Sequence, residues 1–237
     1  MSTVERRNQI LLLLQSHGGL SIRELSALVY ASPASVRRDV IALEEEGLVR
    51  RVYGGVLLSS CENAVVPLSV RDGDHSAQKE RLARKAASLV EDGDTILLDA
   101  SSTVRRMIRH LSRCKDLTII TNNDRIFGEL EGLNARILCT GGEYLRENHA
   151  FAGPSAEGFV RRVWADKLFF SSQGVSMDGE VSDHSELETA LRRAMLERSA
   201  LHYCLIDDSK IGRRCRFRLC DKDDIDQFIC EKKLPWQ

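Results

Sequence analysis

The sequence predicts an α/β protein in two parts: a small winged helix-turn-helix, then a larger, mostly parallel α/β domain of the Rossmann-like type. Three observations predict this fold. Short helical patterns at the start of the chain end in a hairpin pattern, a stretch without periodicity follows, and the remainder alternates apolar strands with amphipathic helices. We therefore place the domains at 1–57 and 76–237, with a linker at 58–75.

Composition favours a folded protein without a metal or a membrane segment. Of the 237 residues, 43% are hydrophobic and 29% are charged, and the formal net charge is −1. The apolar run "ILLLLQ" is too short to cross a bilayer and lacks a cleavage site, so we expect a cytoplasmic protein. The seven cysteines form no C-x-x-C pair. We expect buried free thiols, no metal site and no cofactor.

Two helices are predicted before residue 30. The apolar residues of the first recur at helical spacing and stop before the glycines of "HGGL"; they are Val4, Ile10, Leu11, Leu13 and Leu14. The segment "SIRE" that follows is typical of a capping box, in which Ser21 and Glu24 satisfy amide donors at the start of a helix through Val29.

The third helix has the features of a DNA major-groove reader. Ser32 can cap it, Pro33 can occupy its first position, and Gly47 can end it. Its apolar face is predicted to consist of Val36, Val40 and Leu43. The other sides of the helix carry small residues, which let it approach a DNA groove closely, and arginines, whose guanidinium groups can bond to guanine or phosphate. These residues are Ala34, Ser35, Arg37 and Arg38.

The segment "LVRRVYGGVLL" predicts two short strands around a turn at Tyr53-Gly54-Gly55. Arg50 and Arg51 on this wing are expected to reach phosphates, while Glu44 to Glu46 lie away from the DNA. A basic pair on a helix is usually only a solvated face, but here the helix spacing, the caps and the wing together favour double-stranded DNA as a partner. The predicted contact residues are Ser32, Ala34, Ser35, Arg37, Arg38, Arg50, Arg51 and Tyr53.

In the larger domain, small polar residues follow the predicted strands. These strand ends are 99–103, 121–123, 140–142, 173–174 and 207–210. The carboxyl ends of parallel strands converge on one edge of a sheet, where ligands bind. A turn such as "DASSTV" that leads into a helix can hold an anion, and Lys210 can supply a cation. The same residue types are also common in ordinary loops and turns, so their spacing alone does not identify the ligand.

The stretch "LSIRELSALVYASPASVRRDVIALEEEGLVRRVYGG" closely resembles the winged helix of the DeoR family of bacterial transcription regulators, with its S-x-x-T-[apolar]-R-R-D-L motif. Ser35 stands where the family usually has threonine. Segments such as "DASSTV", "TIITNN", "CTGGEY" and "LIDDSK" resemble the family's C-terminal sensor domain, which is similar in fold to ribose-phosphate isomerase and glucosamine-phosphate deaminase.

This resemblance implies a repressor of a carbohydrate-metabolism operon that responds to a phosphorylated sugar. Carried over by position, the effector-binding residues are Asp99, Ser101, Ser102, Thr103, Thr121, Asn122, Gly141, Gly142 and Lys210. Two positions depart from the family pattern. Ser101 stands where glycine is usual, and Arg192 where lysine is usual.

Two alternatives remain open. One is an enzyme, a sugar-phosphate isomerase or deaminase fused to a DNA-binding module, with Asp99 and Asp124 as candidate acid–base groups and no evident second partner. The other is a regulator that binds DNA but does not sense a ligand. We favour a regulator that is not an enzyme, and expect a homodimer or homotetramer that presents two reading heads.

Overall fold

A computed structural model of the chain describes residues 2–17, 19–52, 55–58, 75–130 and 132–236. The chain divides into two compact units, Met1–Asp74 and His75–Gln237. Most of the predicted linker, 59–74, and the wing residues Tyr53 and Gly54 lie outside the described residues. Among the residues described, no helix has the length and apolar character needed to span a bilayer.

The N-terminal unit has the predicted winged helix-turn-helix elements. Its helices and strands are α1 (Thr3–His17), α2 (Ile22–Leu28), α3 (Pro33–Glu45), β1 (Val49–Val52) and β2 (Gly55–Leu58). The capping box of α2 is confirmed, since the Glu24 amide donates to Ser21 Oγ at 3.2 Å and the Ser21 amide donates to the Glu24 carboxylate at 2.8 Å. Ser32 caps α3, and Pro33 is its first residue.

The three helices share one core. Val36, Val40 and Leu43 of α3 are all buried, as their spacing predicts. Asp39 of the same helix is also buried, and its carboxylate pairs with the guanidinium groups of Arg6 and Arg7 of α1. These ion pairs therefore connect α1 to α3 beside the apolar core. A buried carboxylate is stable only when it is paired in this way.

The two strands of the wing pair in antiparallel register. Arg50 lies opposite Leu57 and Arg51 lies opposite Val56. Leu20, just before α2, exchanges two backbone hydrogen bonds with Val56, of 3.0 and 2.8 Å, so the wing is also paired to the helical part of the unit. Because side chains alternate along a strand, Arg50 and Arg51 project from opposite faces of this ribbon.

The C-terminal unit contains a six-stranded parallel sheet, which confirms the predicted fold class. In spatial order its strands are β13 (Gln227–Ile229), β11 (Ser199–Leu205), β8 (Ala165–Phe170), β3 (Thr95–Leu98), β4 (Leu117–Thr121) and β5 (Ala135–Cys139). Every neighbouring pair is parallel, so the carboxyl ends of these strands share one edge.

Both faces of this sheet are covered. Leu168 and Phe170 of β8 belong to one core, and Phe169 between them belongs to the other. The α-helices that the structure describes in this unit are α4 (Ser76–Ala87), α5 (Ser102–Arg105), α6 (Pro154–Val160) and α7 (Glu186–Glu197). Adjacent apolar residues that alternate between two cores explain why these strands form continuous apolar runs in the sequence.

Two smaller sheets were not predicted from the sequence. The strands β6 (Glu143–Leu145) and β7 (Ala150–Ala152) form a hairpin, and β9 (Gly174–Val175), β10 (Val181–Asp183) and β12 (Phe217–Cys220) form an antiparallel sheet in the order β12, β10, β9. The hairpin is attached to the end of β4, where the Phe151 amide donates to the Asn122 carbonyl at 2.7 Å.

The cysteines that the structure describes are free thiols. Cys114, Cys204 and Cys220 are buried, while Cys139, Cys215 and Cys230 are half-buried. Burial raises the pKa of Cys220 to about 12 and that of Cys215 to about 11. Thiols with such pKa values remain protonated at neutral pH.

The ion pairs between α1 and α3 give a stability prediction. Asp39→Asn should lower the free energy of unfolding of the N-terminal unit by about 3 kcal/mol, because Arg6 and Arg7 lose the carboxylate that compensates their partial burial. Hydrogen exchange of the α1 and α3 amides in the full-length protein measures this change. Glu46→Gln, which removes only the exposed partner of Arg7, is the control, and an equal effect of the two variants would contradict the prediction.

Candidate functional site

The outer face of α3 carries the residues predicted to read DNA. Arg37 and Arg38 are exposed, as are Ser32 and Ala34, and Ser35 is half-buried. Ser32 Oγ accepts a hydrogen bond from the Ser35 amide at 3.2 Å and lies 3.0 Å from the Ser35 hydroxyl. The helix therefore begins with small residues and presents two guanidinium groups to solvent beyond its first turn, without a carboxylate partner among the described residues.

The two wing arginines have different surroundings. Arg50 is exposed, whereas Arg51 is paired with Glu44 of α3: the Arg51 amide donates to one carboxylate oxygen at 2.9 Å and Arg51 Nε donates to the other at 2.6 Å. These two hydrogen bonds from Arg51 hold the pKa of Glu44 below its usual range. Glu44 lies at the far end of α3, as predicted, and it pairs with Arg51 because the strand carrying Arg51 docks beside that end. Tyr53 lies outside the described residues.

The predicted ligand residues of the larger unit lie at the carboxyl edge of the parallel sheet. Asp99, Thr121, Thr140 and Asp207 each follow or end a parallel strand. The Thr140 amide donates to the Thr121 carbonyl at 3.0 Å, and Lys210 Nζ donates to Gln173 Oε1 at 2.9 Å. The topology thus brings to one edge the five strand ends that were distant in sequence.

Asp99 forms part of a buried ion network centred on Arg192 of α7. Arg192 Nε donates to Asp99 at 2.8 Å, and Nη1 donates to Asp183 at 2.9 Å. Nη2 lies 3.6 Å from Glu188, whose other oxygen accepts from Asn148 Nδ2 at 2.6 Å. Burial lowers the pKa of Arg192, but Asp183, Asp99 and Glu188 outweigh burial and raise it above the ordinary arginine value.

The hydrogen bonds of Asp99 indicate a positioning role. Oδ1 accepts from the Ser101 amide at 3.0 Å, and Oδ2 accepts from the Ser171 amide at 3.2 Å as well as from Arg192. Both oxygens are therefore occupied within the protein. Its contacts fix the turn that follows β3 and connect that turn to the end of β8; contact of Asp99 with the effector stays a prediction.

The turn at Ser101 accommodates a side chain without strain. Ser101 has φ −71° and ψ 150°, which any residue adopts, and its hydroxyl accepts from the Val104 amide at 3.2 Å as the N-cap of α5. The departure from glycine therefore costs no backbone strain. Ser102 and Thr103 are buried, and their first-turn N–H groups have no intrahelical acceptor.

The end of β4 contains buried polar atoms without partners in the described structure. Asn122 Nδ2 donates to the Phe151 carbonyl at 2.9 Å, but Asn122 Oδ1 has no partner there. Asn123 Oδ1 accepts from the Arg125 amide at 3.0 Å, whereas its Nδ2 has none. Thr121 Oγ1 accepts from the Asn123 amide at 3.1 Å. Unmet acceptors and donors of this kind are satisfied by water or by ligand hydroxyls.

The paired glycines are required for different reasons. Gly141 has φ 61°, and a methyl group at this position would meet open space, so only its backbone conformation favours glycine. A Cβ on Gly142 (φ 111°) would lie 2.5 Å from the Ala152 carbonyl oxygen and 2.9 Å from Ala156 Cβ. Gly142 therefore permits close packing of the strand end against β7 and α6.

Lys210 lies near a second buried carboxylate. Asp207 accepts from the Ser209 amide at 3.0 Å and caps the short turn that carries Lys210. Burial raises the pKa of Asp207, but Lys210, the Ser209 hydroxyl and Lys79 together hold it below its usual range. Lys79 of α4 is itself buried.

Sequence reasoning missed several of these charged residues. A charged residue on the apolar face of a predicted helix could have indicated its burial. Lys79 lies three residues before Leu82 on such a face, and Glu188 lies one turn before Arg192. Nothing in the sequence indicated that Asn148 or Asp183 would join the network. No group of metal-ligating side chains occurs among the residues described.

Asp124, a candidate acid–base group of the enzyme alternative, does have a partner that the sequence did not reveal. Its Oδ2 lies 3.2 Å from His149 Nδ1 and also accepts from the Tyr144 hydroxyl. The hairpin β6–β7 supplies both partners. The pKa of Tyr144 is raised above its usual value, first by this hydrogen bond to Asp124.

Two family models and several curated proteins match nearly the whole length of this chain. Residues 6–62 match the family model described as a DeoR-like helix-turn-helix domain, and residues 74–232 match the DeoR C-terminal sensor domain. The HTH-type transcriptional regulator GolR of Listeria innocua is 30% identical over 99% of this chain and 92% of its own length. The transcriptional repressor AccR of Agrobacterium fabrum is 34% identical over 90% of this chain and 83% of its own.

Among solved structures, ribose 5-phosphate isomerase A from Methanocaldococcus jannaschii aligns with 58% of this chain and 55% of its own, at 16% identity and a TM-score of 0.43. That score is too low to support a functional argument.

The Arg192 network predicts a large, pH-dependent stability loss. Arg192→Ala should lower the free energy of unfolding at pH 7 by about 3–5 kcal/mol, because it leaves Asp99, Asp183 and Glu188 buried without a cation. The unpaired carboxylates then have raised pKa values in the folded variant, so the loss should shrink as the pH falls and they become protonated. Urea unfolding at pH 7 and pH 5 measures this. Arg161→Ala, which removes an exposed arginine just after α6 from its pair with Glu157, is the control; a pH-independent loss would contradict the prediction.

The two glycines give a matched pair of variants. Gly142→Ala should destabilise the protein by about 3 kcal/mol, because strain at positive φ and a backbone clash add together. Gly141→Ala should cost only about 1–2 kcal/mol, since it meets open space. Urea unfolding compares the two, and equal losses would show that the close approach to Ala152 is not decisive.

Proposed function

The chain belongs to the DeoR family of transcription regulators, and from that premise we propose that it binds operator DNA through α3 and β1 and represses genes of carbohydrate metabolism. The relatives are named as regulators and repressors of transcription, so its function is regulation rather than catalysis. A cytoplasmic location is part of the same proposal.

One observation carries the DNA assignment. Arg37 and Arg38 are exposed on α3 while Val36, Val40 and Leu43, interleaved with them, are buried, so packing leaves the arginines open to solvent, which supports their contact with the duplex. The capped helix start, with Ser32, Ala34 and Ser35, would enter the major groove and the arginines would bond to guanine or phosphate.

The wing contributes through Arg50, Arg51 and Tyr53 in this proposal. The exposed Arg50 would contact a phosphate beside the groove. Arg51 is held by Glu44, so it would set the position of β1 against α3, and a phosphate would have to compete with that carboxylate.

A homodimer or homotetramer would present two such reading heads to paired half-sites, because one winged helix makes few contacts.

We propose that the carboxyl edge of the sheet binds a phosphorylated sugar. Ser101, Ser102, Thr103 and Lys210 would hold the phosphate, and Thr121, Asn122 and the Gly141–Gly142 segment would line the sugar. The support is the convergence of these strand ends and the unmet Asn122 Oδ1. Asp99 would act by fixing the turn. Binding would favour one of two arrangements of the oligomer and so change operator affinity.

The arginine pair gives the first functional prediction. With about three phosphates neutralised by each half of a dimer, log K for operator DNA should fall with log salt at a slope of roughly −5. Replacing both Arg37 and Arg38 with alanine should abolish operator protection in footprints. Arg37→Ala and Arg38→Ala alone should each weaken binding, and each should make the slope shallower by about 1 per subunit if it meets a phosphate.

Arg161→Ala serves as the control, since Arg161 is an exposed arginine of the C-terminal unit. Footprints of the two α3 variants that equal those of the wild type, or a wild-type slope near zero, would contradict the assignment of the DNA face.

The sensor assignment is tested by thermal shift with a panel of sugar phosphates. A binding effector at 100 times its Kd should stabilise the protein by about 2.7 kcal/mol and raise Tm accordingly. Lys210→Gln should remove most of this shift. Lys115→Gln is the matched control, because Lys115 precedes β4 and lies at the opposite edge of the sheet.

A silent panel with the wild type would favour a regulator without a sugar-phosphate ligand, and turnover of a panel member would favour the enzyme alternative.

A further inference from the structure

Tyr30 has an unusual conformation in the turn between α2 and α3. Its φ is 51°, in the left-handed region that glycine adopts readily and bulky side chains avoid. The turn needs this angle, since it lets the Ala31 amide donate to the Ser26 carbonyl at 3.1 Å and the Tyr30 amide donate to the Ala27 carbonyl at 3.4 Å as α2 ends. Glycine would satisfy the turn with less strain.

The hydrogen bonds of this turn account for the backbone of Tyr30, but they do not explain its side chain. Its side chain is 95% exposed, and the described residues offer its hydroxyl no hydrogen bond and its ring no ring contact. His149, which also has positive φ, differs because its ring bonds to Tyr144 and Asp124. The turn therefore explains the positive φ at position 30, but not a large exposed side chain where glycine would be less strained.

The position of Tyr30 indicates what it contacts. It precedes Ser32, the N-cap of α3, by two residues, so the two Cα atoms are within about 8 Å of each other. A major groove is about 12 Å wide and bordered by phosphates. When the start of α3 enters the groove, the chain that leads into it crosses the border, which places Tyr30 beside the sugar–phosphate backbone.

We propose that the Tyr30 hydroxyl donates a hydrogen bond to a phosphate oxygen of the operator, as a further DNA-binding residue of this chain. The inference rests on the proposed docking of α3. Tyrosine hydroxyls are regular phosphate donors, and a hydrogen bond to a charged oxygen is stronger than one to a neutral group. Tyr30 carries no charge, so its contact adds affinity without releasing a counterion.

The test compares Tyr30→Phe and Tyr30→Gly in the full-length protein, with a duplex recovered by selection of genomic fragments on the wild type. Both variants should raise Kd by about tenfold at every salt concentration and leave the salt slope unchanged. Tyr30→Gly should also keep or raise Tm, because it relieves the strained turn. A structural role for Tyr30 would predict the reverse for Tyr30→Gly, a lower Tm.

Leu28→Ala is the matched control, because Leu28 is exposed at the end of α2 and has no polar atom to bond a phosphate. Wild-type affinity in both Tyr30 variants would overturn the proposal, as would an affinity loss that accompanies a changed oligomeric mass. Loss in Tyr30→Gly alone would overturn the hydroxyl contact in favour of ring packing.

Arg37→Ala separates this outcome from failure of the larger proposal. If Arg37→Ala weakens binding and the Tyr30 variants do not, only the Tyr30 contact is wrong. If all of them bind as the wild type does, the α3 docking itself is wrong.

Discussion

The carboxyl edge of the parallel sheet depends on one buried guanidinium. Arg192 reaches three carboxylates with three different nitrogens, and those carboxylates belong to the end of β3, to β10 and to its own helix. Through Glu188 the network extends to Asn148 in the hairpin loop. A planar fork can meet three partners at once, which the single ammonium of a lysine cannot do in the same geometry. Burying these charges is costly unless each one is paired, so the network restricts the arrangements that this edge can adopt. The Ser101 turn takes its position from that restriction.

In the N-terminal unit, acidic residues determine which arginines remain available. Arg6 and Arg7 are bound by Asp39, and Arg51 is bound by Glu44, whereas Arg37, Arg38 and Arg50 have no such carboxylate among the described residues. This distribution explains how a chain with a formal net charge of −1 can present a basic face. The acidic residues next to the motif do not cancel its charge uniformly. They pair with the arginines that support the fold and leave Arg37, Arg38 and Arg50 without a carboxylate partner among the described residues.

Local rules predicted most of the fold. Capping residues such as Ser21 and Ser32 satisfy donors within a few residues of themselves, so their roles can be predicted from sequence. The six-stranded sheet followed from apolar runs separated by helices. The hairpin β6–β7 escaped prediction because its strands have only three residues each. The partners of Asp99 were not predicted, because Arg192 and Ser171 are distant from it in sequence and only the folded sheet brings them close. The pairing of Arg51 with Glu44 depends on how a strand docks on a helix, which alternation alone does not determine.

The register of the wing also constrains how this region can change. Arg50 and Arg51 point to opposite sides of the ribbon because successive residues of a strand alternate. One residue inserted into β1 ahead of them would exchange their positions, turning the exposed guanidinium towards Glu44 and the bound one outwards. Two inserted residues would restore the original order. Homologous wings should therefore vary freely in sequence at outward positions, while the parity of the spacing between α3 and the arginines stays constant.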